Sequence, residues 1–275
     1  MARKRYIKSK KAKPKHALLK KIARSKVFLI AASALGIAIL LIGFFAFSPI
    51  FQIQNIHIDG AQSVLSDDLL RIAQQKIGRS FGAMQINNIF WADLSSVAHA
   101  MALSNPKIAS VAISRKLPHS LSIQVVERYP AGIWCRQDGQ CFFLDTEGIA
   151  YENTERDVGR LIVEDADEAL PVRLGAQAIA KDRLDILLIV YRQLQQVFVL
   201  HEEHLGIEKI VLKNSSKGDI HTTEGWSVYM DLYEKVDWQI EKLVLVLKEQ
   251  IPQKKRSQLE YIDLRFGDQA YVKYK

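Results

Sequence analysis

The chain has 275 residues, 38 Lys/Arg against 30 Asp/Glu, a net charge of +8 and a pI near 9.3, a balance that invites a nucleic-acid reading. Twelve of those basic residues and no acidic one fall in residues 1–26, leaving 26 basic against 30 acidic, a net of −4, for the rest. The remainder therefore lacks the basic stripe that neutralises phosphates, and a nucleic-acid partner is excluded.

Residues 1–26 form a basic tail, RKRYIKSKKAKPKHALLKK at its centre, in which Pro14 and the lack of apolar periodicity predict disorder. Residues 27–47, VFLIAASALGIAILLIGFFAF, run without a charged side chain. At 1.5 Å per residue that helix is ~31 Å long, the thickness of a bilayer's hydrocarbon core. The basic flank predicts a cytoplasmic N-terminus and the domains after the span outside, with the tail able to touch anionic headgroups. The alternative is a cleaved secretory signal, but the apolar run exceeds a usual signal core and Pro49 would come directly after the small-x-small site at 46–48. An uncleaved single-pass anchor is the expectation.

Two small domains fit in the chain beyond the span, 50–128 and 129–275. Phe51–Gln54 alternates like a strand, and the phase slips at Asn55 before Ile56 and Ile58. Leu65, Leu69, Ile72, Ala73 and Ile77 predict a helix, with Ser66 as N-cap, Asp67 and Asp68 in its first turn and Gly78 as stop. Phe90, Leu94, Val97, Ala98 and Met101 predict a second, ending before Asn105-Pro106. Two strands come next, Ala109, Val111 and Ile113 facing one way and Leu121, Ile123 and Val125 doing likewise across the turn at 117–120. The order is β-α-α-β-β.

The second domain opens with a hairpin at 133–135 and 141–144 around Asp138-Gly139. A helix at 181–199 carries Leu184, Leu187, Leu188, Tyr191, Leu194 and Phe198 on one face. Strands are predicted at 207–212, 219–223 and 226–232, then a helix bearing Val236, Ile240, Leu243, Val244, Leu247 and Ile251 up to Pro252. Strands 259–266 and 269–274 close the chain across Gly267-Asp268. The fold class is α+β: one transmembrane helix, a compact β-α-α-β-β domain, and a second mixed domain with a largely antiparallel sheet.

Cys135 and Cys141 are the two cysteines. A short loop sets them across the hairpin, where a non-hydrogen-bonded pair has Cα atoms ~4.5 Å apart, near the lower limit for a disulfide. A disulfide and two free, partly buried thiols are both consistent with that placement. Zinc would need two further ligands. His201-Glu-Glu-His204 imitates a metal site, but its i, i+3 histidine spacing is not the i, i+4 of HExxH, and it reads as a solvated loop after the helix. Asp165, Asp167 and Glu168 read as an acidic loop without a partner base. There is no G-x-S-x-G, no P-loop and no G-x-G-x-x-G. The expectation is no enzyme, no cofactor, no metal and no small-molecule substrate.

The β-α-α-β-β unit after one span resembles a POTRA domain. A V-x-R-x-x-P-x-x-L-x-I-x-V-x-E-R-x-P pattern falls on Ile113, Arg115, Pro118, Leu121, Ile123, Val125, Glu127, Arg128 and Pro130, with Ala131 and Trp134 after it. With Phe143–Gly148 and the final Tyr261-Ile-Asp-Leu-Arg-Phe266, the ordered set resembles the FtsQ/DivIB family of cell-division proteins, the former its next strand and turn and the latter its final Y-[IV]-D-L-R-[FY] signature. The resemblance implies a non-enzymatic bitopic scaffold at the division septum in the cytoplasmic membrane. It also implies that FtsB/DivIC-type and FtsL-type bitopic partners bind by strand addition at the C-terminal edge and so regulate septal cell-wall synthesis. The contact residues it implies are Arg265, Phe266, Ala270, Tyr271, Val272 and Tyr274. The competing reading is that these aromatics pack on the preceding strand, with Lys273 and Lys275 as edge-protecting charges. A different functional alternative is a POTRA-bearing envelope assembly or transport factor that chaperones extended substrates. Such factors carry tandem POTRA domains or precede a β-barrel, and this chain has one POTRA candidate and no series of ten-residue alternating strands.

Overall fold

The computed structural model describes residues 26–81, 84–157, 159–166, 172–201, 205–213 and 216–275. The basic tail up to residue 25 therefore lies outside the described residues, as do Glu202, Glu203, His204, Asp167 and Glu168. The chain is α+β and groups into two compact units, one of residues up to 57 with 74–94 and 114–122, the other of 58–73, 95–113 and 123–275.

The apolar run forms helix α1, Lys26–Phe47, whose stretch Phe28–Phe47 is long and apolar enough to cross a membrane. A Pro-initiated single 3-10 turn, Pro49–Phe51, comes next, with the Ile50 N–H donating to Ser48 Oγ at 3.3 Å. Strand β1 is Asn55–Asp59, so the phase slip at Asn55 marks where a linker becomes a strand. Helix α2, Ser66–Ile77, starts at the expected serine and buries Leu69, Ala73 and Ile77. Leu65, expected on that stripe, stays exposed because it precedes the helix.

Two three-residue strands then pair, β2 (Arg79–Phe81) and β3 (Met84–Ile86). The sequence pattern does not reveal them, since three residues give no countable period. Helix α3, Leu94–Ser104, buries Val97 and Met101. Phe90 lies outside it, in the preceding turn, and is exposed. Strands β4 (Ile108–Lys116) and β5 (Ser120–Glu127) flank the predicted turn, which holds a cis Leu117–Pro118 bond. Leu121, Ile123 and Val125 are buried as expected. On β4 the buried residue is Ile108, and Ala109 is exposed, an inversion of the expected phase at the strand's start. The three-stranded sheet runs β1-β5-β4.

The second sheet has nine strands. Those expected are β6 (Gly132–Cys135), β7 (Cys141–Leu144), β10 (Ile207–Leu212), β11 (Lys217–Thr222), β12 (Ser227–Asp231), β13 (Leu259–Phe266) and β14 (Gln269–Tyr274). Those not singled out are β8 (Ala150–Thr154) and β9 (Ile162–Asp165). The spatial order is β14-β13-β12-β11-β10-β9-β6-β7-β8. Three neighbouring pairs, β9–β10, β6–β9 and β12–β13, are parallel. The other five are antiparallel. Parallel neighbours need a long crossover, and two of the three have a helical one. Helix α4, Lys181–His201, joins β9 to β10, and α5, Val236–Leu245 with a π turn over Val246–Gln250, joins β12 to β13.

Both crossover helices face one side of the sheet. Leu184, Leu187, Val190, Leu194 and Phe198 of α4 share a core with Ile240 and Leu243 of α5 and with Ile210, Ile220, Val228 and Ile262 of the strands. The α4 stripe expected from the sequence is buried except Leu188 and Tyr191, which are half-buried. Alternate residues on β6, β7 and β9, Ile133, Cys135, Cys141 and Ile162, make a small cluster on the other face. There Cys135 and Cys141 form the registered pair, bonded through sulfur with Cα atoms 4.1 Å apart.

Candidate functional site at the C-terminal sheet edge

Strand β14 is the terminal strand of the nine-stranded order, and Gly267-Asp268 turns the chain into it, Gly267 adopting φ +47°. Its ladder pairs Ile262 with Val272 and Asp263 with Tyr271. Among the described residues, its outer backbone edge has no strand beside it. An edge of this kind presents N–H and C=O groups to an incoming strand.

The six residues expected here divide by the pleat. Ala270 and Val272 pack on the domain core, so they would offer a partner chiefly their backbone. Tyr271 and Phe266, 52% and 53% exposed, meet edge-to-face with centroids 5.1 Å apart. Tyr271 Oη donates to Gln269 Oε1 at 2.7 Å. Tyr274 is 42% exposed. Arg265 is committed elsewhere. Its Nε and an Nη donate to the Asp263 carboxylate at 2.8 and 2.5 Å, raising its pKa, and the guanidinium lies over the Tyr229 ring at 5.3 Å. Lys273 pairs with Glu260 at 2.8 Å, which raises its pKa, and lies 5.7 Å over Tyr261. Tyr229 and Tyr261 stack at 4.7 Å, so a pair of rings lies between the Arg265 and Lys273 cations across three strands.

Sequence reasoning missed the residue that holds this hairpin's turn. Lys242, on α5, is buried, and its ammonium donates to the carbonyls of Leu264, Gly267 and Gln269 at 2.7, 2.7 and 3.2 Å. Burial pushes its pKa down. The available signal was a lysine next to Leu243 in a helix whose neighbouring stripe is apolar. Gln239, also buried, ties the start of the same helix to Asp231 and Glu234 backbone atoms. A cleft of about 120 Å³ lies beside the turn, lined by Asp231, Trp238, Leu264 and Arg265 among others.

The motif residues of the first domain have distinct physical roles. Glu127 accepts the backbone N–H groups of Gln62, Ser63 and Val64 and the Ser63 hydroxyl, at 2.5–3.1 Å. Partial burial pushes its carboxyl up, but those four donors outweigh it and hold the pKa at about 2 instead of 4.5. Arg128 donates to Pro106 O at 3.0 Å and pairs with Asp145, whose other oxygen accepts the N–H of Glu147 and of Ile149. Arg115 donates to Ile89 O at 2.7 Å and Ala92 O at 2.9 Å.

The remaining candidates do not assemble. Asp67 and Asp68 occupy the first turn of α2, where acidic residues suit the helix dipole. Helix α4 runs on to His201, two residues beyond the expected end. Asp165 ends β9. Among the described residues no group of three or more His, Cys, Asp or Glu is placed to hold a metal.

Comparisons with known proteins place these features in a family. Residues 51–128 match the POTRA domain of FtsQ type, and residues 132–265 match the FtsQ/DivIB C-terminal domain of cell-division proteins. Cell division protein FtsQ of Corynebacterium glutamicum is 28% identical over 144 residues, 52% of this chain and 60% of that protein. FtsQ of Rickettsia bellii is 31% identical over 98 residues, 36% of this chain and 33% of that protein. FtsQ of Aliivibrio fischeri is 24% identical over 213 residues, 77% of this chain and 75% of that protein. The matched region thus covers less than two thirds of the first two relatives' own lengths. With two consecutive family models spanning the chain from residue 51 to residue 265, the protein belongs to the FtsQ/DivIB family of cell-division proteins.

Proposed function

We propose that this protein is a non-enzymatic, bitopic scaffold of the division machinery that captures FtsB/DivIC-type and FtsL-type partners by strand addition on β14. The N-terminal tail stays in the cytoplasm, α1 crosses the membrane once, and the two domains work outside it at the septum. Capture there regulates septal cell-wall synthesis. The reading rests chiefly on one observation, the outer edge of β14 flanked by the exposed Phe266–Tyr271 pair and Tyr274. Main-chain hydrogen bonds to that edge would supply affinity, and the two tyrosines the amphipathic area common at interface hot spots.

The test is binding of the full chain in nanodiscs to the extramembrane part of an FtsB/DivIC-type protein of the same genome, measured by calorimetry with and without Tyr271→Lys. The intact chain is expected to bind, and the substitution to weaken binding at least ~10-fold, about 1.4 kcal/mol. Unchanged affinity would remove the strand from the site. A substitution is a better probe than truncation at Gly267, which would strip two of the three acceptors from the buried Lys242 ammonium.

A further inference from the structure

The junction between α1 and the first domain is built rather than flexible. Asn88, 1% exposed, donates from Nδ2 to the carbonyls of Phe45 and Ala46 at 2.8 and 3.1 Å, and its Oδ1 accepts the Phe90 N–H at 2.8 Å. Those two carbonyls belong to the last turn of α1, where a helix leaves acceptors without intrahelical partners. Backbone bonds extend the clamp, Ile89 N–H to Phe51 O and Ile53 N–H to Asn87 O, both at 2.9 Å. Arg115 then holds the carbonyls of Ile89 and Ala92, on either side of Phe90-Trp91. The loop is fixed from three directions, yet the two side chains it carries are apolar and open, Phe90 at 44% and Trp91 at 52%.

These two residues line a groove of about 490 Å³ with Leu41, Ile42, Phe45 and Ala46. Leu41 lies six residues before the end of α1, about 9 Å along the helix axis. If residues 28–47 fill the hydrocarbon core, whose thickness they match at ~30 Å, that end marks the outer boundary of the bilayer. A groove reaching nearly two turns below that boundary would open among acyl chains, and Trp91, which lines it, would lie near the interface where tryptophan rings accumulate. Phe90 also packs with Phe51 and Phe45, at centroid distances of 5.2 and 6.2 Å, so the wedge is continuous with the helix.

We propose that the Phe90-Trp91 loop is a membrane-inserted wedge, held by Asn88 and Arg115, whose groove against α1 is occupied by the acyl chain of an outer-leaflet phospholipid. The occupant is set by depth, because lipid is what surrounds the last two turns of a spanning helix. The wedge would give the first domain a second attachment to the bilayer beside α1. It rests on α1 spanning the membrane and is independent of the β14 edge.

The experiment uses the full chain in phosphatidylcholine vesicles whose acyl chains carry bromine close to the glycerol. The protein has four tryptophans, so Trp91 is read as the difference between wild type and Trp91→Phe. That difference spectrum is expected to be blue-shifted, to lose most of its intensity in brominated against plain vesicles, and to resist aqueous iodide. Arg115→Ala should restore iodide access while the protein still resists alkaline carbonate extraction. A carbonate-resistant protein whose Trp91 component is unquenched by bromine and open to iodide overturns the wedge and leaves the groove to a protein helix. A protein that washes off in carbonate refutes the span itself, and the wedge with it.

Discussion

Glu127 offers a quantitative test of how the first domain is held. Its carboxylate gathers the N–H groups of three successive residues and the Ser63 hydroxyl, which no other described side chain does in this loop. A drop from 4.5 to about 2 corresponds to an upper bound of ~3.4 kcal/mol at ~1.36 kcal/mol per unit. Glu127 is half-exposed, and solvent screening reduces that to roughly 1–2 kcal/mol. The folded pKa is depressed, so the stabilisation is complete above about 4.5, fades as pH falls from there toward 2, and is gone below. Glu127→Gln keeps a carbonyl oxygen of the same reach but loses the charge. Hydrogen exchange of the amides of residues 62–64 in the full chain reads the loop directly. At pH 7 the variant should exchange on the order of 5–30-fold faster than wild type after correction for intrinsic rates. The gap should close as pH approaches 2, with the variant's protection flat across the range. Equal protection at pH 7, or a gap that persists at pH 2, would refute the reasoning.

Three further outcomes are expected from the same geometry. Gly60→Ala should loosen this loop, because φ is +88° and a Cβ would lie 2.2 Å from Val125 O; a loss of ~2 kcal/mol or more is expected, seen as faster exchange at 60–64. Lys242→Met leaves three carbonyls at the β13–β14 turn without their donor; ~1–3 kcal/mol should be lost, with faster exchange at 264–269 and weaker partner binding in the calorimetric assay. The double change Cys135→Ala and Cys141→Ala should cost about 2 kcal/mol by releasing a short loop of six-residue separation, measured as a lowered denaturation midpoint under oxidising conditions.

Much of this protein is written locally. The apolar run of α1, the α2 and α4 stripes and the β13–β14 hairpin arise from side-chain periods and turn residues that neighbours along the chain suffice to set. The motif from Ile113 to Pro130 is legible as a pattern but not as a set of roles. Only the folded chain brings Glu127 to the amides of 62–64, Arg115 to the carbonyls of 89 and 92, and Arg128 to Asp145. The same holds for the candidate site. Tyr271 and Tyr274 stand out in the sequence, but which of the six residues face the core depends on the pairing register of β14 with β13.

The short β2–β3 pair, the strands β8 and β9 and the parallel neighbours of the nine-stranded sheet escaped the sequence reading for one reason. Strands of three to five residues carry too few repeats to show a period, and parallel pairing joins segments separated by a whole crossover helix. Composition and periodicity determined by themselves the apolar helix α1, the class and most elements, because these depend on residues a few places apart. Tertiary structure alone decided the edge position of β14, which follows from the order of the whole sheet, and the burial of Lys242 beneath its turn and the clamp of Asn88 on α1, which each join groups more than twenty residues apart.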